Sequence, residues 1–193
     1  MEENKGWYSR KKLPHFDGGG VTQFITFRLA DSLPREVVGA MYDEIQGLKG
    51  NIDEAKFERI EYFLAQGAGS CILREPRCAE LVQDSLKFLD GNRFDLRHWV
   101  IMHNHVHFLA RFEEGQSLEK ALHSLKSYTA HELKKIHPEM PVIWQQESFD
   151  RYIRNESHYE YTVRYIHNNP VVAKICDEPE DFMWSSAARS TGF

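Results

Sequence analysis

The sequence has 193 residues, enough for one domain with a buried core, and its 41% hydrophobic and 27% charged residues are typical of a folded protein that faces water. No apolar run is long enough to cross a bilayer, which excludes a membrane-spanning protein. The net charge of −5 argues mildly against a nucleic-acid partner, although a phosphate group responds to the local charge and not to the total.

The cysteines and the N-terminal residues bear on the cellular compartment. Cys71, Cys78 and Cys176 show no metal-like pair spacing, and their odd number argues against a disulfide framework. Residues 1–16 carry charges with no apolar stretch behind them, so they do not resemble a secretory signal. These features predict a reducing, cytoplasmic setting with no membrane partner.

The first predicted element is a strand at residues 21–29, which follows a turn at residues 17–20. In this strand Val21, Ile25 and Phe27 alternate with polar side chains, as expected when one face is buried. Apolar residues at helical spacing, with prolines near the starts and glycines near the ends, then predict a series of helices. The predicted helices are residues 31–48, 51–67, 75–91, 117–137 and 155–170.

Two further strands are predicted between the third and fourth helices. Residues 94–102 and 105–112 are strand-like and are separated by a tight reversal, so they should pair as a hairpin. Residues 141–153 are mixed, with a short strand and a loop. The last helix has Asn155 as its N-cap and Pro170 as its terminator. This order of elements predicts an α+β fold in which helices cover one face of an antiparallel sheet.

Three histidines lie in or beside the second strand of this hairpin. Residues 99–112 read WVIMHNHVHFLARF, and a strand places His105 and His107 on one face, with roots about 7 Å apart. The opposite face is the core face, formed by Val106, Phe108, Ala110 and Phe112. Two adjacent imidazoles can converge on one divalent ion. The alternative is a pair of surface or hydrogen-bonded histidines, and His103 is interpreted as a turn residue.

His105-Val106-His107 resembles the HUH motif (histidine, hydrophobic, histidine) of enzymes that nick single-stranded DNA. The stretch VIMHNHVHFL is similar to the MPNHVHLL strand of single-tyrosine transposases, with His103 where proline is usual. LPHFDGGGVTQFITFRL and VIWQQESFDRYIRNESHYEYTVRYIHNNPVVAKI resemble the corresponding parts of the REP-associated tyrosine transposases. The resemblance covers nearly the whole chain, less clearly at residues 35–75.

The segment RYIHNNP resembles the tyrosine motif of the same family, which implies that Tyr165 is the nucleophile and Asn169 a third metal ligand. Residues four apart share one face of a helix, so both side chains could address one point. The alternative is that Tyr165 is an ordinary core tyrosine of an amphipathic helix. Tyr128 has a similar composition around it but lacks the NNP that follows Tyr165.

The resemblance implies a ferredoxin-like or RRM-like sandwich with the HUH histidines on the central strand. It implies a single HUH tyrosine transposase-like domain over residues 1–193, with a DNA-contacting segment at 1–20 and a C-terminal extension at 171–193. The implied partner is single-stranded DNA with a hairpin, formed by a palindromic repeat. The expected oligomeric state is a monomer or a homodimer.

The resemblance also implies a mechanism. Mg²⁺ or Mn²⁺ held by His105, His107 and Asn169 would serve DNA cleavage through a covalent 5′-phosphotyrosine, followed by rejoining and DNA transposition. The resemblance of the N-terminal segment implies that Arg10, Lys11, Lys12 and His15 contact DNA, and a later basic cluster adds Arg151 and Arg154 to the expected DNA-binding residues. A loose, solvated N-terminal tail is the alternative for the first four.

Two other functions fit parts of the sequence. HNHVHF resembles the HxHxH motif of histidine-triad nucleotide hydrolases, but Asn104 stands in a gap where that motif has a hydrophobic residue, and the motif gives no role to YIHNNP. A catalytically inactive hairpin-binding protein would keep the same residues for binding or packing alone.

Overall fold

The structure is a computed structural model that describes residues 6–9, 14–17, 20–33 and 52–189, with side chains described for residues 20–33 and 58–189. The helix predicted at residues 31–48 lies almost wholly outside this part of the chain. Three of the predicted DNA-binding residues also lie outside it, namely Arg10, Lys11 and Lys12. Only the backbone of His15 is described.

Six strands are described, four of them in one antiparallel sheet. The strands are β1 (Gly6–Ser9), β2 (Pro14–Asp17), β3 (Val21–Arg28), β4 (Asp95–Ile101), β5 (His105–Phe112) and β6 (Phe149–Tyr152). The sheet has the order β4-β5-β3-β6, so the histidine strand is central, as predicted. The β4–β5 hairpin is also confirmed. The ribbon formed by β1 and β2 lies next to β6.

Four helices are described, and their bounds agree with the predicted ones to within a few residues. The helices are α1 (Ile52–Ala65), α2 (Pro76–Leu89), α3 (Leu118–Ile136) and α4 (Glu156–Val172). A 3₁₀ turn at Pro179–Asp181 is the short helical stretch of the tail. Within the described residues, no helix combines the length and the apolarity that crossing a bilayer requires.

The main hydrophobic core lies between α2, α3 and one face of the sheet. The core face of β5 supplies buried Val106, Phe108, Ala110 and Phe112, as the alternation in the sequence predicts. Phe27 of β3 meets Phe108 edge-on, with ring centroids 6.3 Å apart. The predicted α+β architecture with an antiparallel sheet is therefore confirmed, but helices cover both faces of this sheet and not one, because α4 packs on the other side.

A second, smaller core lies on the opposite face, beneath α4. Its buried members are Phe24, Val100, Met102, Leu109, Ile166 and Phe182. The alternation in the sequence predicts that this face of β5 lies away from the core, but α4 folds back over it. His105 and His107 are consequently fully buried rather than half-exposed. Alternation along a strand reveals which residues share a face, and it does not reveal what covers that face.

The prediction that Pro170 ends the last helix is wrong, because α4 continues for two more residues, to Val172. Proline lacks an N–H and so removes one helical hydrogen bond, which is a limited loss in the last turn. The helix ends when Lys174 adopts the left-handed conformation with φ of 57°. The N–H groups of Lys174 and Ile175 then donate to carbonyls of the last turn, an arrangement usually completed by glycine.

Candidate active site

The central position of β5 places both imidazoles inside the protein. The ring centroids of His105 and His107 are 4.6 Å apart. His107 lies opposite Thr26 of β3 on one side and Val100 of β4 on the other. The ring of Phe24 stacks on His107 at a centroid distance of 5.4 Å. The two imidazoles therefore have fixed neighbours on every side except the one that α1 and α4 approach.

A neighbouring side chain holds the Nδ1 atom of each imidazole. The Asn104 amide donates from Nδ2 to the carbonyls of Leu64, in the last turn of α1, and of Ala68, which follows this helix. Its Oδ1 therefore faces His105 and lies 2.7 Å from Nδ1. Nδ1 of His107 lies 2.8 Å from the hydroxyl oxygen of Thr26. A histidine that donates from Nδ1 keeps a lone pair on Nε2, which is the usual arrangement of a metal-binding imidazole.

Glu61 of α1 faces the Nε2 atoms. Its Oε2 lies 3.1 Å from Nε2 of His107 and accepts a hydrogen bond from the Tyr165 hydroxyl. Nε2 of both histidines and Oε1 of Glu61 are buried, and within the described part of the chain they form no hydrogen bond. Donor atoms from Glu61, His105 and His107 all lie within 4.8 Å of one another. Nitrogen and oxygen atoms that are buried, lack hydrogen bonds and lie close together are suited to binding a divalent cation.

α4 carries Tyr165 and Asn169 to the same point. The Asn155 side chain caps this helix by accepting a backbone N–H of the first turn at 2.9 Å, as the sequence predicts. The Tyr165 ring centroid is 5.5 Å from that of His107. One turn later, the buried Asn169 side chain lies beside His105 and Tyr165.

The charges of the cluster follow from its burial. Burial, followed by the neighbouring His107, lowers the pKa of His105 to about 3, so its imidazole is neutral. Burial and the adjoining Glu61 carboxylate raise the pKa of Tyr165 far above its ordinary value. Burial would also raise the pKa of Glu61, but His107, His105 and the hydrogen bond from Tyr165 together lower it. A protonated phenol therefore donates to an ionised carboxylate.

A cavity of about 280 Å³ opens beside Tyr165. Its lining includes Phe149 and Arg151 of β6 and the exposed Tyr161 of α4. The Arg151 guanidinium carbon lies 5.6 Å from the centre of the Phe149 ring. The cavity thus presents aromatic rings and the Arg151 cation next to the tyrosine, and the carboxylates of Glu58 and Glu61 also line it. The rings suit stacking on a flat base.

The structure brings together the four site residues that the sequence singled out: His105, His107, Tyr165 and Asn169. Arg151 borders the adjoining cavity. Arg154 follows β6, with its guanidinium carbon 5.9 Å from the centre of the Tyr152 ring. His103 lies in the β4–β5 reversal, where its ring packs near Phe182 at 6.5 Å.

Sequence reasoning missed Glu61, Thr26 and the orienting role of Asn104. Nothing in the residues around Glu61 distinguishes it from Glu58 on the same helix, because both read as solvated helix charges. The sequence contains a weak signal for Thr26, because the alternation of residues 21–29 puts this side chain on the polar face of the predicted strand. Asn104 stands beside the paired histidines, but only the fold shows that its amide faces two carbonyls and an imidazole.

Comparisons with known proteins point in one direction. Residues 74–169 match a family model described as "Transposase IS200 like", and this segment contains both histidines, Tyr165 and Asn169 but not Glu61. No curated protein matches the chain. A solved structure described as "Structure of the REP associates tyrosine transposase bound to a REP hairpin" is similar, with a TM-score of 0.56 and 18% identity over 96% of this chain and 82% of that one. At this identity the likeness shows the fold alone.

Proposed function

Because residues 74–169 belong to the IS200-like transposase family, we propose that the protein nicks and rejoins single-stranded DNA at hairpins of palindromic repeats, in DNA transposition. The observation that carries this proposal is the hydrogen bond from the Tyr165 hydroxyl to Glu61 beside two buried histidines. The similar solved structure is of a transposase bound to a REP hairpin, which supports the same class of partner.

The cation in this proposal is Mg²⁺ or Mn²⁺. His105 and His107 would bind it through Nε2, and the oxygen ligands would be Asn169 and Glu61. Two imidazole nitrogens make the set softer than Mg²⁺ prefers, which favours Mn²⁺ in vitro. When bound, the cation would offset the charge of the scissile phosphate and orient it.

Tyr165 would attack the phosphorus with its hydroxyl oxygen while its proton passes to Glu61, the carboxylate that already accepts it. A bond forms between the tyrosine oxygen and the phosphorus on the 5′ side, the bond from phosphorus to the 3′ oxygen breaks, and the departing 3′ oxygen takes a proton from solvent to give a free 3′-hydroxyl. Since a phenol with a pKa of about 10 is a better leaving group than an alkyl alcohol, the covalent bond conserves the energy for rejoining.

DNA would reach Tyr165 along the cavity of β6 and α4. Arg151 and Arg154 would contact phosphates there, and the exposed Tyr161 offers a ring for stacking on an unpaired base. Arg10, Lys11, Lys12 and His15 would add further DNA contacts, as the resemblance of their segment to the REP-associated tyrosine transposases implies. Residues 1–193 would form one domain, acting as a monomer or a homodimer.

The test of the proposal is Tyr165→Phe. This variant should lose the covalent protein–DNA adduct on a single-stranded hairpin substrate, because no phenol oxygen remains to attack, while its affinity for the hairpin stays unchanged. Denaturing gels with labelled DNA measure the adduct, and Tyr128→Phe, on the exposed face of α3, is the matched control. An adduct formed by Tyr165→Phe would contradict the assignment. Nicking that persists in EDTA would contradict the role of the metal.

A further inference from the structure

A second group of metal-ligand side chains lies at the main core, on the opposite face of the sheet from the histidine pair. Glu75 precedes the first turn of α2, Cys78 lies within that turn, and His137 follows the last turn of α3. Their oxygen, sulfur and nitrogen atoms lie within 4.8 Å of one another. Cys78 is fully buried. None of the three takes part in the proposed nicking chemistry.

His137 has the orientation of a metal-binding histidine. Its Nδ1 lies 3.0 Å from Oε1 of Glu139, so a carboxylate holds the side of the ring that faces away from the cluster. Its Nε2 lies 3.0 Å from Oε1 of Glu75, yet it is buried and forms no hydrogen bond with the described residues. The same pattern occurs at His107, where Nε2 faces Glu61 at 3.1 Å without a hydrogen bond.

Glu75 is also held in place. Its other oxygen, Oε2, lies 2.9 Å from the Arg77 guanidinium, which leaves Oε1 pointing to His137. One helix start therefore presents a carboxylate and a thiol to the imidazole at the end of its neighbour. A purely ionic network would involve Glu75, His137 and Glu139 and would leave out the Cys78 thiol, which lies in the main core beside them.

We propose that Glu75, Cys78 and His137 bind Zn²⁺, with a water molecule as the fourth ligand. A thiolate, an imidazole and a carboxylate are the ligand types that zinc takes in proteins, and a thiolate disfavours Mg²⁺ or Ca²⁺. Zinc–ligand distances of about 2.0–2.3 Å set the ligands roughly 3.3–3.8 Å apart in a tetrahedron. Because the three atoms already lie within 4.8 Å of one another, side-chain rotations that shorten these separations by at most about 1.5 Å would close the cluster to these distances.

Binding changes the protonation of one ligand and the connection between two helices. The Cys78 thiol, whose pKa is raised to about 11 by burial and by the Glu75 carboxylate, loses its proton to solvent when the ion binds. The ion would join the start of α2 to the end of α3, and these are the two helices that cover the main core. The proposed ion would thus link two helices, and this proposal does not depend on the proposed nicking function.

Cobalt(II) is a suitable probe, because a thiolate bound to cobalt gives a charge-transfer absorption in the near ultraviolet and the histidine pair has no cysteine to produce it. The wild-type protein should develop this absorption to a plateau that corresponds to one thiolate-bound Co²⁺ per chain, also when excess Co²⁺ fills the histidine pair, and Zn²⁺ should abolish it. Cys78→Ser should lose it. The control Cys176→Ser, in a partly exposed cysteine of the tail, should keep it.

Two further variants keep the proposal testable if Cys78→Ser folds poorly. His137→Gln should weaken cobalt binding by at least about 10-fold, and Glu139→Gln by about 10-fold through loss of the carboxylate that orients the ring. The proposal is overturned if the wild type shows no charge-transfer band, if the band survives in Cys78→Ser, or if His137→Gln binds cobalt as tightly as the wild type. Nicking assays are not needed for any of these outcomes.

Discussion

The imidazole of His107 shows how individual residues prepare the candidate active site. Thr26 lies at its Nδ1, Phe24 stacks on its ring, and Glu61 faces its Nε2. His105 is held in the same way by Asn104. These neighbours fix both rings before any ligand arrives, so little conformational entropy remains to be lost on metal binding.

Asn104→Ala tests this orientation. The variant removes the acceptor for Nδ1 of His105 while leaving the imidazole in place, so affinity for Mn²⁺ should fall by about 10- to 100-fold. Isothermal titration of the DNA-free protein measures it, and Asn92→Ala, at an exposed asparagine, is the control. Unchanged affinity in Asn104→Ala would show that packing alone orients the ring.

The protonation of His105 predicts an acid effect on stability. In the folded protein, burial lowers the pKa of His105 from an ordinary 6.5 to about 3. Between about pH 3 and pH 6.5 the unfolded chain therefore binds a proton at this residue that the folded chain does not bind. The free energy of unfolding should therefore fall as pH decreases below about 6.5. In EDTA, His105→Gln should lose less thermal stability than the wild type between about pH 7 and pH 5. His131→Gln, at an exposed histidine, should retain the wild-type pH dependence.

At the scale of elements, α4 is the part that assembles the site, because it carries both Tyr165 and Asn169. Its start is fixed by the Asn155 cap and its end by the turn at Lys174. Between them, Ile166 is fully buried against the sheet. The contact of Ile166 with the sheet sets the distance between α4 and β5, and the Asn155 cap determines the residue at which α4 begins.

Asn155→Ala should lower the free energy of unfolding by about 1 kcal/mol, because a backbone N–H of the first turn loses its acceptor. Urea denaturation followed by circular dichroism measures the change. Asn168→Ala, an exposed position of the same helix, should cause no such loss, since alanine favours helix more than asparagine does. Equal losses in the two variants would argue against a capping effect.

At the scale of the whole molecule, the sheet separates two cores with different tasks. Phe108 and Leu109 are adjacent on β5 and both fully buried, but Phe108 faces α2 and α3 while Leu109 faces α4. The larger core supports the sheet, and the smaller one holds the tyrosine helix against the histidines.

Phe108→Ala and Leu109→Ala should therefore differ in their effects on function. Both should lose about 3–4 kcal/mol of stability through the cavities they leave. At a temperature where both variants are folded, Leu109→Ala should form the protein–DNA adduct more slowly than Phe108→Ala, because its cavity lies under α4. Circular dichroism establishes the folded fraction and quenched-flow gels the rate. Equal rates would mean that the two faces are not energetically distinct.

The sequence by itself determined the local elements and the order in which they follow. Some features depend only on neighbours within a few residues, so they can be recognised from the sequence. Examples are the strand alternation around Phe108, the cap at Asn155 and the spacing between Tyr165 and Asn169. The predicted helix end at Pro170 is wrong because a proline in the last turn removes only one hydrogen bond, so the helix continues to Val172. The pairing of two histidines on one strand was also a local pattern.

Only the tertiary structure decided what surrounds those residues. Glu61 and Tyr165 are 104 positions apart in the chain, and their hydrogen bond exists because α1 and α4 reach the same face of the sheet. The same holds for Cys78 and His137, whose sequence spacing suggested no metal site. Contacts between distant residues depend on packing of whole elements, and the free energy that selects this packing comes from the buried core rather than from the residues it brings together.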